Sequence, residues 1–192
     1  MITKARVSLD EFLAMPETEP PSELIDGEVV QKMAPSLYHG ILTAELIRLL
    51  GTYLHDSREG RVVNEVRHVQ PGEQRVFLPD VNVTLKQQIP QGRRVRTVGP
   101  IPIPPDLAVE VVSPGESIGR VLERADFYMR SGTPLLWIID PETETITAYR
   151  PGEPPSVHRA PAVIDAQPVL RAFQLDLAAL FAVLHEDEDD GA

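Results

Sequence analysis

Apolar residues recur at spacings of three and four in two segments, which is the pattern of amphipathic helices. The first segment covers residues 39–55, and the second covers residues 117–130, where a serine provides the cap. Ser8 and Glu11 form a capping box, which predicts a short helix from Leu9 to about residue 15. An aspartate at the start of residues 176–181 predicts a last short helix. The pattern therefore predicts four helices.

Shorter apolar runs bounded by Gly, Pro and Asp predict the strands. The Asp-Gly pair within residues 23–30 predicts a hairpin, since both turn positions need a positive φ. Residues 106–113 are nearly all apolar, which is typical of a central strand buried on both faces. The other predicted strands cover residues 61–66, 76–85, 135–139 and 145–149, with a weaker one near 157–158. The core elements follow one another in the order helix, three strands, helix and strand. This order predicts a mixed α/β sandwich on one sheet.

Length and composition fit one globular domain. The chain has 192 residues, of which 42% are hydrophobic and 24% charged. We expect a single domain over residues 1–183 and an acidic tail over residues 184–192. The sequence has no apolar run of about 18 residues and no apolar leader at its N-terminus, so we expect neither a membrane span nor a signal peptide. It has no Cys, which excludes disulfides and fits the cytoplasmic location that we expect.

The charge balance gives no general support for nucleic-acid binding. The chain has 18 basic and 29 acidic residues, a net charge of −11, and removal of the five tail acids leaves −6. One basic cluster, Arg93, Arg94 and Arg96, lies in the long irregular segment 87–105. These arginines either contact phosphates or belong to a solvated loop.

Two acids are candidates for chemistry. Asp80 follows Pro79, and Glu110 lies inside an apolar strand, where an acid is costly unless it is paired or bound to metal. Mg²⁺ prefers carboxylate oxygens completed by water and phosphate. Two interpretations stay open from the residues alone. Either Asp80 makes turn hydrogen bonds and Glu110 pairs with an arginine, or both acids hold one divalent cation.

Six segments in order resemble one family. They are ELIDGE (23–28), AP-x3-H (34–39), PDV (79–81), PDLAVEVVSP (105–114), ERADFY (123–128) and G-TP-LLWIIDP (132–141). Over roughly residues 8–182 the chain is similar to the Uma-type (Uma-two) restriction-endonuclease-like family of the PD-(D/E)XK nuclease superfamily. The resemblance implies an α/β fold with a restriction-endonuclease-like core. A central mixed β-sheet is flanked by two main helices, with an N-terminal helix and a β-hairpin.

The resemblance also implies an endonuclease that hydrolyses phosphodiester bonds of nucleic acid, most simply DNA, with Mg²⁺ or Mn²⁺. Asp80 and Glu110 match the metal-binding acids. The pattern's lysine corresponds to Val112, or to Arg124 in the helix four residues before Tyr128. Arginine keeps the positive charge but cannot act as a base. We therefore expect weak or absent nuclease activity that Arg124→Lys raises. The alternative is a catalytically inactive nuclease-fold protein acting as a binding or assembly module.

Four further residues match the periphery of such a site, each with two interpretations. Glu23 faces the site or caps the hairpin, and His39 belongs to the site or is a structural hydrogen-bonder at a helix start. Asp106 is a second metal ligand or a solvated strand-end acid, and Tyr128 borders the site or is simply core. We also expect a homodimer, because the hairpin and the strands near Tyr149 offer sheet edges and two sites suit two strands of a duplex. Removing the charge of Asp80 is expected to relieve repulsion and raise stability.

Overall fold

The computed structural model describes residues 6–69, 75–89 and 100–185. Two predicted features lie outside the described residues: the cluster of Arg93, Arg94 and Arg96, and the acids of the tail.

The four predicted helices are confirmed. They are α1 (Leu9–Ala14), α2 (Leu37–Ser57), α3 (Ile118–Arg130) and α4 (Leu177–Ala182), with a 3-10 turn over Lys86–Gln88. The strands of the described ranges are β1 (Ser22–Ile25), β2 (Glu28–Gln31), β3 (Gly60–Val63), β4 (His68–Val69), β5 (Val76–Phe77), β6 (Val81–Leu85), β7 (Leu107–Val111), β8 (Leu135–Asp140), β9 (Thr145–Tyr149), β10 (Ser156–Arg159), β11 (Val163–Ala166) and β12 (Leu170–Asp176).

A six-stranded mixed sheet forms the centre of the fold, in the order β10-β9-β8-β7-β6-β3. Strands β7 and β8 are parallel, and the other neighbours are antiparallel. The buried leucines of α2 pack on one face of this sheet, and the buried side of α3 packs on the other. The predicted architecture, with two main helices flanking a central mixed sheet, is confirmed.

Strand β7 runs through the middle of this sheet and alternates between its two faces. Val109 and Val111 belong to the apolar cluster beneath α2, whereas Ala108 belongs to the cluster beneath α3. Glu110 has the parity of Ala108, so its carboxylate lies on the α3 face. Val81 of β6 pairs with Val109, which places the residue before β6 beside Glu110.

The predicted continuous strand over residues 76–85 is wrong. The chain divides at Leu78–Asp80: β5 joins the four-stranded sheet β2-β1-β5-β4 with the hairpin, and β6 joins the central sheet. Pro79 lacks a backbone N–H and cannot continue the ladder. Asp80 therefore lies at the junction between the two sheets.

Two other features of the sheets were not predicted. Strand β4 is only two residues long, and β11 pairs with β12 in a separate two-stranded sheet that packs on the main core. Prolines at 161 and 168 hide this pair in the sequence, because proline inside or beside an apolar run argues against a strand.

Candidate active site

A cleft of about 120 Å³ opens where the hairpin, the start of α2, the start of β6, the end of β7 and α3 meet. The charged and polar side chains that line it include Glu23, Lys32, His39, Asp80, Glu110 and Arg124. The structure thus brings together five residues that the sequence singled out, and it adds Lys32.

Asp80 has three partners from three elements. Its Oδ1 accepts a hydrogen bond from Nζ of Lys32 at 2.7 Å, and its Oδ2 accepts one from the backbone N–H of Val111 at 2.8 Å. Nε2 of His39 lies 3.1 Å from the same Oδ2. Ser36 caps α2 and so holds His39 in the first turn, facing the cleft. His39 is therefore a neighbour of Asp80 and not only a hydrogen-bonder within its own helix.

Glu110 is buried against α3. The phenol of Tyr128 donates a hydrogen bond to its Oε1 at 2.7 Å, and Nε of Arg124 lies 3.6 Å from its Oε2. Arg124 and Tyr128 are four residues apart, so one face of α3 presents both to the strand. Tyr128 is fully buried, and it is both a core residue and a contact of the site.

Arg124 is held mainly by an acid that the sequence did not single out. Its Nη1 donates to Oε1 of Glu116 at 2.5 Å, and the other oxygen of Glu116 accepts from the backbone N–H of Ser113 at 3.4 Å. The loop between β7 and α3 therefore turns the guanidinium toward Glu116. No short motif marked Glu116, since its partner lies on the following helix.

The hairpin contributes two side chains that clamp the backbone at the strand break. Oε1 of Glu23 accepts from the N–H of Leu78 at 3.1 Å, and Nζ of Lys32 donates to the C=O of Leu78 at 2.8 Å. Both polar backbone groups of Leu78 are thus satisfied by side chains instead of a strand partner. Glu23 is buried and faces the cleft, so it does more than cap the hairpin.

The sequence motifs did not mark Lys32 as a site residue, although the hairpin contains a signal for it. Asp26 and Gly27 have φ angles of 50° and 81°, and their turn sets a register in which Glu23 pairs with Val30. Lys32 lies two residues beyond Val30, so it lies on the same face as Glu23. The Asp-Gly turn, followed through its register, would have placed both charges together.

Asp106 does not lie in the cleft. It is buried at the opposite end of β7, four residues and about 13 Å from Glu110 at the usual rise of a strand. Its carboxylate accepts from the N–H of Leu85 at 2.7 Å and from Nε2 of Gln88 at 2.6 Å. Asp106 is therefore a structural acid that ties β6 to β7, and the interpretation as a solvated strand-end acid is wrong.

The two central acids have opposite electrostatic environments. Burial and the carboxylate of Asp80 raise the pKa of Glu110 to about 7, against the opposing effect of Lys32 and Arg124. Burial would raise the pKa of Asp80 as well, but Lys32 and His39 outweigh it and hold that pKa well below its usual range. Asp80 is therefore ionised at neutral pH, whereas the raised pKa of Glu110 favours its protonated form at acidic pH.

This asymmetry reverses one expectation from the sequence. Because the charge of Asp80 is stabilised by its partners, we expect the removal of that charge to lower stability instead of raising it. Like-charge repulsion acts mainly on Glu110, whose pKa the carboxylate of Asp80 raises.

The donor set fits a hard divalent cation. The described part of the chain holds no ready cage of three or more His, Cys, Asp or Glu side chains. Mg²⁺ does not need one, since one or two carboxylates with water and substrate phosphate suffice. Four carboxylates, those of Glu23, Asp80, Glu110 and Glu116, face the two fixed cations Lys32 and Arg124. When all are ionised, two negative charges remain, which is the charge that one divalent ion offsets.

Comparison with known proteins assigns the chain to a class. Residues 9–178 match the Uma2 family model, which is described as "Putative restriction endonuclease", and the chain belongs to this family. The fold is similar to the crystal structure of a putative nuclease belonging to DUF820 from Anabaena variabilis ATCC 29413. The TM-score is 0.85 and the sequence identity 29%, over 93% of this chain and 99% of that chain. No curated protein gives a significant match.

The family match and the structural neighbour confirm the resemblance that the six motifs indicated. In the described ranges, no helix has the length and apolar character needed to cross a membrane.

Proposed function

We propose that this protein is a metal-dependent endonuclease that hydrolyses phosphodiester bonds of DNA. The observation that carries the proposal is the convergence of Asp80 and Glu110, from neighbouring strands, in one cleft with Lys32 and Arg124. The nuclease-like fold and the family support the same class of reaction.

Asp80 and Glu110 are the residues that would hold Mg²⁺ or Mn²⁺. Such an ion supplies Lewis-acid stabilisation of phosphate charge and lowers the pKa of bound water. The N–H of Val111 and the phenol of Tyr128 orient the two carboxylates. Arg124 is a fixed positive charge beside Glu110 and, as a guanidinium, takes no part in proton transfer.

The test is cleavage of supercoiled plasmid DNA by the full chain with Mg²⁺ or Mn²⁺, and with EDTA as the metal-free control. We expect nicked and linear products only when the metal is present. The alternative, a nuclease-fold binding module, is favoured by one observation: the ammonium of Lys32 lies 2.7 Å from Oδ1 of Asp80 and so competes with a cation for that oxygen. Cation binding without any cleavage would decide for this alternative.

We also propose that the protein is a homodimer. In the described structure β2 is one of the two outer strands of its sheet and β10 one of the two outer strands of the central sheet, and Val157 on β10 is exposed. Among the late strands near Tyr149, β9 is covered on both sides by β8 and β10, so the sheet edge of this region is β10. Light scattering at micromolar concentration should give twice the chain mass of 21.3 kDa. A mass of one chain would reject the dimer.

A further inference from the structure

We propose that Lys32 is the catalytic cation of this site, in place of the lysine expected at Val112 or Arg124. Its ammonium would contact the scissile phosphate beside Asp80 and stabilise the negative charge that develops there. This inference rests on the proposed nuclease function, and it brings the β1–β2 hairpin into the active site.

The geometry of the ammonium supports this role. Nζ of Lys32 donates to Asp80 at 2.7 Å and to the C=O of Leu78 at 2.8 Å. An ammonium has three N–H donors. The third finds no acceptor among the residues that the structure describes, and Lys32 lines the cleft. One donor is therefore available to a phosphate oxygen next to the ionised Asp80.

The two positions where the pattern expects lysine do not offer this donor. Val112 has no charge, and its side chain packs against the apolar cluster beneath α3. The guanidinium of Arg124 is engaged by Glu116 at 2.5 Å and lies beside Glu110, not Asp80. Arg124 thus serves as the counter-charge of two glutamates, while Lys32 is the cation in contact with Asp80.

The position of Lys32 is built into the hairpin. Its backbone N–H donates to the C=O of Pro21 at 2.9 Å, which extends the β1–β2 pairing by one residue beyond the strands. The clamp on Leu78 then ties this end of the hairpin to the start of β6. The long side chain is consequently held by groups on both sides, as a preorganised catalytic group requires.

The role of Lys32 is positive charge and not proton transfer. In the hydrolysis, the water oxygen bonds to phosphorus as the P–O ester bond breaks. One water proton ends on the departing hydroxyl group, and the other on the new phosphate terminus or in solvent. Lys32 neither gains nor loses a proton in this step. Burial disfavours its charge, but the negative charges of Asp80, Glu110 and Glu23 outweigh burial and raise the pKa of Lys32.

The test removes the charge and keeps the length of the side chain. Lys32→Met should reduce metal-dependent plasmid cleavage by about 100-fold or more, the usual cost of losing one transition-state donor. Its affinity for Mn²⁺, measured by calorimetry without DNA, should be unchanged or higher, because the ammonium no longer competes for Asp80. The matched control is Lys86→Met, on the 3-10 turn at the opposite end of β6, which should behave as wild type.

Several outcomes would overturn the inference. Cleavage by Lys32→Met within about 3-fold of wild type would do so, and so would a loss of Mn²⁺ affinity in a folded variant. Arg124→Lys provides a second test that does not need Lys32→Met to fold. Contrary to the expectation from the sequence, we now expect no gain in activity, because the residue at position 124 faces Glu116 and Glu110. A tenfold gain would show that the α3 position, and not Lys32, provides the catalytic cation. If wild type and Lys86→Met both fail to cleave with metal, the proposed function falls together with this inference.

Discussion

Asp80→Asn is expected to abolish divalent-cation binding and metal-dependent cleavage. Asp80 is one of the two carboxylates that would hold the ion, and its oxygens already lie between the hairpin, α2 and β7. An amide brings one weaker acceptor and no charge, so a site that needs carboxylate oxygens loses half of its ligands. Calorimetry with Mn²⁺ and the plasmid assay should both show a signal indistinguishable from background.

The same change is expected to destabilise the metal-free protein. The folded protein holds the pKa of Asp80 below its unfolded value, so the ionised form contributes stability above the unfolded pKa. This stability is lost as the pH falls through the folded pKa. Asparagine also leaves the ammonium of Lys32 buried without its ionic partner. We expect a loss of about 1–3 kcal/mol in the free energy of unfolding at pH 7. The usual cost of breaking a buried ion pair is partly offset here, because the repulsion between the carboxylates of residues 80 and 110 disappears.

Asp106→Asn is the matched control, since Asp106 is a buried aspartate at the other end of the neighbouring strand. It should lower stability through its bonds to Leu85 and Gln88 but leave Mn²⁺ binding and cleavage intact. If Asp80→Asn still bound Mn²⁺ as wild type does, the metal assignment would be wrong. If it proved more stable than wild type, the ion pair with Lys32 would not have the strength that its geometry indicates.

Glu110→Gln is expected to stabilise the metal-free protein at alkaline pH, the opposite of the effect at Asp80. For a carboxyl group whose folded pKa is raised to about 7, the protonated form is favoured by folding. Its contribution to stability is full below the unfolded pKa and is lost as the pH rises through 7. Glutamine is neutral throughout and keeps an oxygen that accepts from Tyr128.

The gain should therefore depend on pH. It should be close to zero at pH 4–5, grow between pH 5 and 7, and reach at most about 3 kcal/mol at pH 8, the penalty that corresponds to this pKa change. Urea unfolding at pH 5 and pH 8 measures it. Glu142→Gln, an exposed acid after β8, should show no such pH dependence of its effect. A gain for Glu110→Gln that is equal at both pH values would contradict the assignment of the buried charge.

Comparing the two variants separates electrostatics from metal binding. Both remove one carboxylate and both should end Mn²⁺ binding, yet their effects on the stability of the metal-free protein at pH 8 have opposite signs. The difference arises because Lys32 and His39 contact Asp80, whereas Glu110 has the neutral phenol of Tyr128 as its closest partner.

Local signals in the sequence determined most elements of the fold. The capping box at Ser8 and the caps at Ser117 and Asp176 begin helices where they were predicted, because a cap acts within three or four residues of itself. The apolar run around Glu110 likewise marked the central strand, because a strand that is buried on both faces is apolar at nearly every position. That strand is buried on both faces, so an acid inside it is conspicuous in the sequence.

Only the tertiary structure decided which charges meet. The partners Lys32 and Asp80 are 48 residues apart, and their contact depends on the break at Pro79 and on the register of the hairpin. The roles of Glu116 and Asp106 likewise depend on partners in other elements, Arg124 on α3 and Leu85 on β6. The physical reason is the range of the interactions. Caps and turns depend on neighbouring residues, whereas a buried ion pair depends on how sheets and helices bring distant side chains within about 3 Å of each other.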